Sequence, residues 1–340
     1  MAFNSIDYYS IEELLTEEEL LIRNSVRDFV EAEIIPIIES HYLDSKFPMH
    51  LIPKMAELGL FGITIPEEYG GSNANYTSYG LAMQELERGD SGIRSFASVQ
   101  NSLVMYPIYK YASKELKEKW LPKLANGTAI GCFGLTEPDY GSNPGGMVTN
   151  AVRTEGGFLL NGAKMWITNG TIADIAVVWA KLDGIVRGFL VEKNTKGFSA
   201  PEMKGKHSLR ASITSELIFQ DCEIPKENIL DVSGLRGPLS CLTQARYGIA
   251  WGGIGSAMAV FSSSLEYAKS RIQFGKPIAS FQIIQDKLVW MLNEITKAQL
   301  IAYRLGRLKD DDKARFQQVS LAKRNKDRKS TRLNSSHGKL

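Results

Sequence analysis

A chain of 340 residues with 40 Lys and Arg against 38 Asp and Glu has a formal net charge of +2, and 44% of its residues are hydrophobic. That composition is globular and excludes a disordered or fibrous chain, and at roughly 150 residues per domain the length suggests about two units, or one large multi-layer body. No apolar run reaches the roughly 18 residues of a membrane span, and the balanced charge argues against nucleic acid, whose phosphates call for a concentrated excess of Lys and Arg.

The first 20 residues hold Asp7, Glu12, Glu13, Glu17, Glu18 and Glu19 and no Lys or Arg. A secretory signal opens on basic residues and a mitochondrial transit peptide is acid-poor and Arg-rich, so a cytoplasmic location is expected. Residues 11–127 read as a helical domain. Thr16-Glu17-Glu18-Glu19 has capping-box spacing, and Ile22, Val26, Phe29 and Val30 follow at helical intervals until Pro36, which is expected to disrupt them. Further helices are expected around 49–58, 77–88, 94–112 and 113–124, stopped by Gly59, Gly89-Asp90-Ser91-Gly92 and Asn126-Gly127.

Residues 128–232 change period. Phe158-Leu159-Leu160, the run Ile175 to Ala180, Gly188 to Val191 and Leu217-Ile218-Phe219 read as short strands, and Gly156-Gly157, Asn161-Gly162 and Asn169-Gly170 read as turns between them. Strands at this spacing, with no helix between, predict an antiparallel barrel or sandwich. From 238 to 326 helices return. Ile284, Leu288, Met291, Ile295, Ala298, Ala302 and Leu305 alternate steps of four and three, a seam for another helix, and Trp290, Leu292, Leu300 and Ile301 off that seam predict a second covering surface. Residues 327–340 have almost no apolar content and no period, and are read as a tail foreign to the rest, as from a cloning or sequencing scar, or as a genuine basic tail for an acidic partner. The expected class is therefore α+β, with helical, β and helical domains in that order.

Cys132, Cys222 and Cys241 form no CxxC pair and read as buried thiols, and His41, His50, His207 and His337 lie too far apart for a metal site. Gly141-Ser142-Asn143-Pro144-Gly145-Gly146, after the run Gly131 to Pro138, lets a backbone approach a ligand, or is an ordinary strand-to-loop turn. Gly253-Ile254-Gly255 lacks the third glycine of a dinucleotide fingerprint and follows no strand. In Lys164-Met165-Trp166-Ile167-Thr168-Asn169, alternation puts Trp166 and Thr168 on one face, a wall and a hydroxyl suited to a flat heteroaromatic ligand, or a core Trp beside a surface Thr. Arg94 and Ser98 lie one helical turn apart with Ser95 adjacent, a cation and hydroxyls able to grip a carboxylate, or a solvated Arg beside a capping Ser; Glu87 is a possible ion partner. Arg246 is a lone cation in an apolar stretch and needs a partner. Arg271 and Gln282, flanking Gln273-Phe274-Gly275-Lys276-Pro277, either reach a phosphate or decorate a corner.

The ordered set Cys132 to Pro138, Lys164 to Asn169, Ala245-Arg246-Tyr247-Gly248 and Arg271-Ile272-Gln273-Phe274-Gly275 resembles the acyl-CoA dehydrogenase family over about residues 10–326. Within it, Glu85 to Ser95, Ser98-Val99-Gln100, Ser208 to Ser212 and Arg304 to Asp310 are similar to the glutaryl-CoA branch. The resemblance implies non-covalent FAD, oxidation of a CoA thioester at Cα–Cβ, electron-transfer flavoprotein as acceptor and a homotetramer. It implies glutaryl-CoA as substrate, oxidised and decarboxylated to crotonyl-CoA. Carried over by position, Phe133, Gly134, Leu135, Thr136, Ser142, Trp166, Ile167 and Thr168 contact the flavin, and Arg271 and Gln282 contact FAD, in this family often a neighbouring subunit's. Ser142 and the stretch Leu239, Ser240, Cys241, Leu242, Thr243, Gln244, Ala245 and Arg246 line the thioester site, and Arg94, Ser95 and Ser98 hold the distal carboxylate. The family's catalytic base is a C-terminal Glu with no counterpart found before Leu340, so no catalytic residue is named and the chain is expected to be truncated and inactive alone. The alternatives are a dehydrogenase of another short-chain acyl-CoA and an inactive FAD- or acyl-CoA-binding fragment.

Overall fold

The computed structural model describes residues 7–335, with side chains through Asn325. In chain order come helices α1 (Glu17–Phe29), α2 (Ile35–Asp44), α3 (Leu51–Glu57), α4 (Tyr76–Gly89), α5 (Ser91–Ser98), α6 (Tyr106–Tyr111) and α7 (Lys114–Ala125). Strands follow: β1 (Gly131–Gly134), β2 (Asn150–Thr154), β3 (Gly157–Thr168), β4 (Ile175–Leu182), β5 (Ile185–Glu192), β6 (Phe198–Ser199), β7 (Thr214–Pro225) and β8 (Ile229–Ser233). Helix α8 (Arg236–Ser270), the hairpin β9 (Ile272–Gln273) and β10 (Lys276–Pro277), α9 (Gln282–Asp310) and α10 (Phe316–Ser335) complete the chain, and α10 carries the helical backbone into the tail that begins at 327. The helix–strand–helix order is the expected one.

Contacts gather these elements into two compact units that cut across the linear order. A helical unit comprises the chain through Ile38, Asn75–Arg94 and everything from Arg246, and a sheet unit comprises Glu39–Ala74 and Ser95–Ala245.

In the helical unit, α1 packs on α4, α4 on α9 and α9 on α10. The capping box forms: Glu19 N–H donates to Thr16 Oγ1 at 3.3 Å and Thr16 N–H donates to the Glu19 carboxylate at 2.9 Å. The helix does not stop at Pro36. A π-helical turn over Val30–Ile34 leads directly into α2, and its wider winding accommodates the ring where a regular turn would clash. Gly253 and Gly255 lie inside α8. A Cβ on Gly255 would sit 1.8 Å from the Gln84 carbonyl oxygen, so α8 crosses α4 this closely only because no side chain intervenes. Of the α9 seam, Met291, Ile295, Ala298, Ala302 and Leu305 are buried. Trp290, Leu300 and Ile301 are not: with Ile283 and Val289 they stay exposed, so the expected second covering surface is not supplied within the described chain.

The sheet unit holds one sheet in the order β6-β7-β3-β2-β4-β5-β8, with β1 paired to β4. Most pairings are antiparallel, as expected; β1 with β4 and β2 with β4 are parallel. Its core is Phe158, Leu160, Ile167, Val178, Phe189, Leu217 and Phe219 with Cys132 and Cys222. All three cysteines are free and buried, and burial pushes the Cys222 and Cys241 thiols up to about 12. One expected turn is wrong. Asn161-Gly162 lies inside β3 as a bulge against β7, with Gly162 at φ 140° and its Cα pressed against Thr149 so that a Cβ would meet Thr149 Oγ1 at 2.5 Å. The bend keeps β3 continuous, and the glycine that suggested a turn serves a close backbone approach.

Candidate functional site

The sheet unit builds a ledge where β1 ends beside the last turn of β3. The β3–β7 register slips between Lys164 and Ile167, and within that bulge Trp166 takes φ 63°. A bulky residue in the left-handed region is strained and persists only where its surroundings fix it. Here Ile167 is anchored in the core and Met165 N–H donates to Thr136 O at 2.9 Å, tying the loop after β1 to β3. The bulge pushes the indole outward, 60% exposed, with Thr168 half-buried beyond it. The two do stand apart from buried Ile167, but by a bulge rather than by simple alternation.

Thr136 and Trp166 are thus brought together. Phe133, Gly134 and Leu135 are buried, with Phe133 tilted on Trp179 at 6.3 Å, so their side chains serve the interior and what they offer a ligand is backbone. Ser142 is exposed in the loop that follows, where a Cβ on Gly141 would touch the Thr136 methyl at 3.9 Å. Asn169 is buried at φ 69°, and its amide nitrogen has no hydrogen-bond partner among the described residues. An outward-facing indole, adjacent hydroxyls and a buried donor awaiting an acceptor fit a flat, polar-edged heteroaromatic ring.

The opening turns of α8 divide the stretch expected to line a thioester site. Leu239 is exposed and Leu242, Thr243 and Gln244 are half-buried, whereas Cys241 and Ala245 face inward. Ser240 Oγ meets Tyr111 Oη at 2.9 Å and donates to Gly237 O at 2.7 Å. Tyr111 is a partner that no spacing in the sequence announced.

In the helical unit, Arg94 at the start of α5 is ion-paired to Glu87 with only 12% of its side chain exposed. Glu87 also accepts from Ser91 Oγ at 2.7 Å. Asp90 caps α5 through Gly92 and Ile93 N–H groups, and burial raises its carboxyl above the ordinary range despite those bonds. A Cβ on Gly252 of α8 would lie 2.8 Å from Glu87 Oε2 and 3.2 Å from Arg94 Nε, so the pair rests against bare backbone. Further along α5, in the sheet unit, Ser95 is half-buried and Ser98 buried. Arg246 is half-buried; Arg271 and Gln282 are exposed at the two ends of the β9–β10 corner. The same corner lifts Phe274, 92% exposed at φ 53°, a residue quoted in the motif but not singled out as a site. Among the described residues no group of His, Cys, Asp and Glu could hold a metal ion, and no helix is long and apolar enough to cross a membrane.

Three family models match in order: the acyl-CoA dehydrogenase N-terminal domain over residues 16–128, the middle domain over 132–222 and the C-terminal domain over 233–333. The short-chain specific acyl-CoA dehydrogenase of Rattus norvegicus mitochondria is 37% identical over 323 residues, 93% of this chain and 78% of that protein. An acyl-CoA dehydrogenase of Bacillus subtilis is 38% identical over 317 residues, 91% of this chain and 83% of its own length. Among solved structures, a glutaryl-CoA dehydrogenase from Mycobacterium smegmatis in complex with FADH2 matches with a TM-score of 0.95 at 46% identity, covering 96% of this chain and 85% of that one. Butyryl-CoA dehydrogenase from Megasphaera elsdenii matches with a TM-score of 0.91 at 33% identity, covering 97% and 88%.

Proposed function

The chain belongs to the acyl-CoA dehydrogenase family, and we propose that within it the chain is a glutaryl-CoA dehydrogenase using FAD. The observation that carries this reading is Arg94. A guanidinium held nearly out of solvent by one carboxylate still has donors to spare, and a purely aliphatic acyl chain would have no use for them. Glutaryl-CoA ends in a carboxylate that Arg94 can grip, with Ser95 adding a hydroxyl.

FAD, when bound, supplies the two-electron acceptor for the hydride that leaves Cβ. Thr136, Trp166 and Thr168 would hold it, the indole as a wall and the hydroxyls and backbone N–H groups toward charge that collects at the ring's polar edge. Ser142 and the accessible face of α8 at Leu239, Leu242 and Thr243 would orient the thioester, whose carbonyl must be hydrogen-bonded for the Cα proton to become acidic. The Cα proton also needs an acceptor. Glu137 is ion-paired to Lys164 and Glu87 to Arg94, so neither carboxylate is open for the task. Arg94 would also steady the carboxylate lost as CO2 after oxidation. Electron-transfer flavoprotein as the onward acceptor and a homotetramer that covers the exposed face of α9 complete the reading.

A second reading, a dehydrogenase of a short monocarboxylic acyl-CoA, is favoured by the names of the similar proteins of rat and Megasphaera elsdenii. Titrating the FAD-loaded chain with glutaryl-CoA and butyryl-CoA, read by flavin absorbance, separates the two. We expect tighter binding of glutaryl-CoA and loss of that preference in Arg94→Ala. Equal affinities, or a preference that survives Arg94→Ala, would overturn the glutaryl assignment.

A further inference from the structure

Lys164 and Glu137 form an ion pair closed to solvent, their side chains 0% and 1% exposed, with Nζ and Oε1 2.8 Å apart. Taking two charges into a sheet interior is costly, and a well-packed apolar pair of similar size would serve core stability as well or better. The bonds around the pair show what apolar packing could not do. Lys164 Nζ also donates to Leu135 O at 3.3 Å. Glu137 accepts from Val148 N–H at 2.7 Å and from Thr149 N–H at 3.1 Å. The two charges therefore tie together three pieces of chain: the loop leaving β1, the segment entering β2, and β3 at the edge of its bulge.

Those pieces carry the ledge. Thr136 lies between Leu135 and Glu137, both bonded to Lys164, and Trp166 follows Lys164 by two residues. The loop 138–147, with Ser142 in it, leaves and returns at Glu137, whose backbone exchanges bonds with Tyr140 at 3.2 and 3.3 Å and whose carboxylate holds Val148. Burial alone would raise the Glu137 carboxyl, but the Lys164, Thr149 and Val148 bonds keep it below the ordinary range. Burial brings the Lys164 ammonium down to about 8, against the pull of Glu137.

Resting on the flavin reading above, we propose that Lys164 and Glu137 are positioning residues of that site: the buried pair sets Thr136, Trp166 and the neck of the Ser142 loop in one arrangement before the ring arrives. A strained, outward Trp would otherwise relax, and a ligand would have to reorder the ledge at the expense of its own binding energy.

The test uses the full chain, titrated with FAD, in three forms: unmodified, Lys164→Met, and Lys164→Met with Glu137→Gln. The single variant strands a buried carboxylate and should unfold at lower temperature; the double variant removes the stranded charge and should recover most of that loss. FAD affinity should not recover with it. We expect the double variant to bind FAD about tenfold more weakly, the size of one lost hydrogen bond to a charged group, and the visible absorption bands of the bound flavin to shift. A double variant with unmodified affinity and bands would overturn the proposal, and so would one that fails to fold, since the pair would then serve the core. If the unmodified chain takes up no FAD, the flavin reading itself falls and this inference with it.

Discussion

In the helical unit Glu85 is closed to solvent between two guanidiniums, with Arg27 at 2.9 Å and Arg88 at 2.9 Å, and Arg88 reaches on to Glu31. Glu19, equally buried, takes Arg307 and Asn75 as well as the Thr16 N–H. In the sheet unit Lys164 has one carboxylate, and its other hydrogen bond goes to the Leu135 backbone carbonyl. The difference follows from the two kinds of backbone. Helices meet side chain to side chain, and an Arg with five donors can serve several acids, so a lost partner leaves others in place. A sheet interior has its backbone groups already paired and admits a charge only where a loop or bulge offers carbonyls and N–H groups, so the pair there has no substitute.

That contrast can be broken by four measurements, taken here from the largest expected effect to the smallest. Lys164→Met should lower the free energy of unfolding by about 3–5 kcal/mol, the usual result of stranding one member of a buried pair; a loss below about 1 kcal/mol in urea would show that Glu137 finds another partner. Glu85→Gln should cost less, about 2 kcal/mol, because the amide still accepts one bond and Arg88 keeps Glu31. A loss as large as that of Lys164→Met would erase the distinction between the units.

Acid should sharpen the same comparison. Burial alone would raise the Glu85 carboxyl, but Arg27 and Arg88 hold it below the ordinary carboxylate value. The unfolded chain then binds its proton first as pH falls, so the stability that Glu85 contributes is complete above about 4.3 and declines below it. Urea midpoints between pH 6 and 3 should fall less steeply for Glu85→Gln than for the unmodified chain; parallel slopes would assign the acid sensitivity to other carboxylates. Lys119→Ala is the smallest change. Its pair with Glu192 at 2.5 Å is about half exposed on both sides, and water screening should keep the loss under about 0.5 kcal/mol. A larger loss would mean that surface pairs of the sheet unit are not weak after all.

The features readable from the sequence are those whose cause lies within a few residues. Thr16 and Glu19 close their own capping box, the α9 seam repeats inside one helix, and the short β-branched runs became β3, β4, β5 and β7. Trp166 and Thr168 are legible because an aromatic and a hydroxyl sit two apart, and Arg94 because Ser95 adjoins it and Ser98 follows one helical turn later. Where local signals misled, a neighbour distant in sequence had changed their meaning. The Asn161-Gly162 pair reads as a turn until Thr149 is known to press on the glycine, and Pro36 reads as a stop until the π turn ahead of it makes room.

Helices, strands and the order of domains were settled by the chain itself, because propensity, capping and hydrophobic period act over a turn or a strand pair. The partner of each buried charge was settled only by tertiary structure. Lys164 finds Glu137 across 27 residues and Glu19 finds Arg307 across 288. No local rule spans such separations; which charges meet depends on how the elements pack, and burial then leaves each charge no choice but the partner it meets.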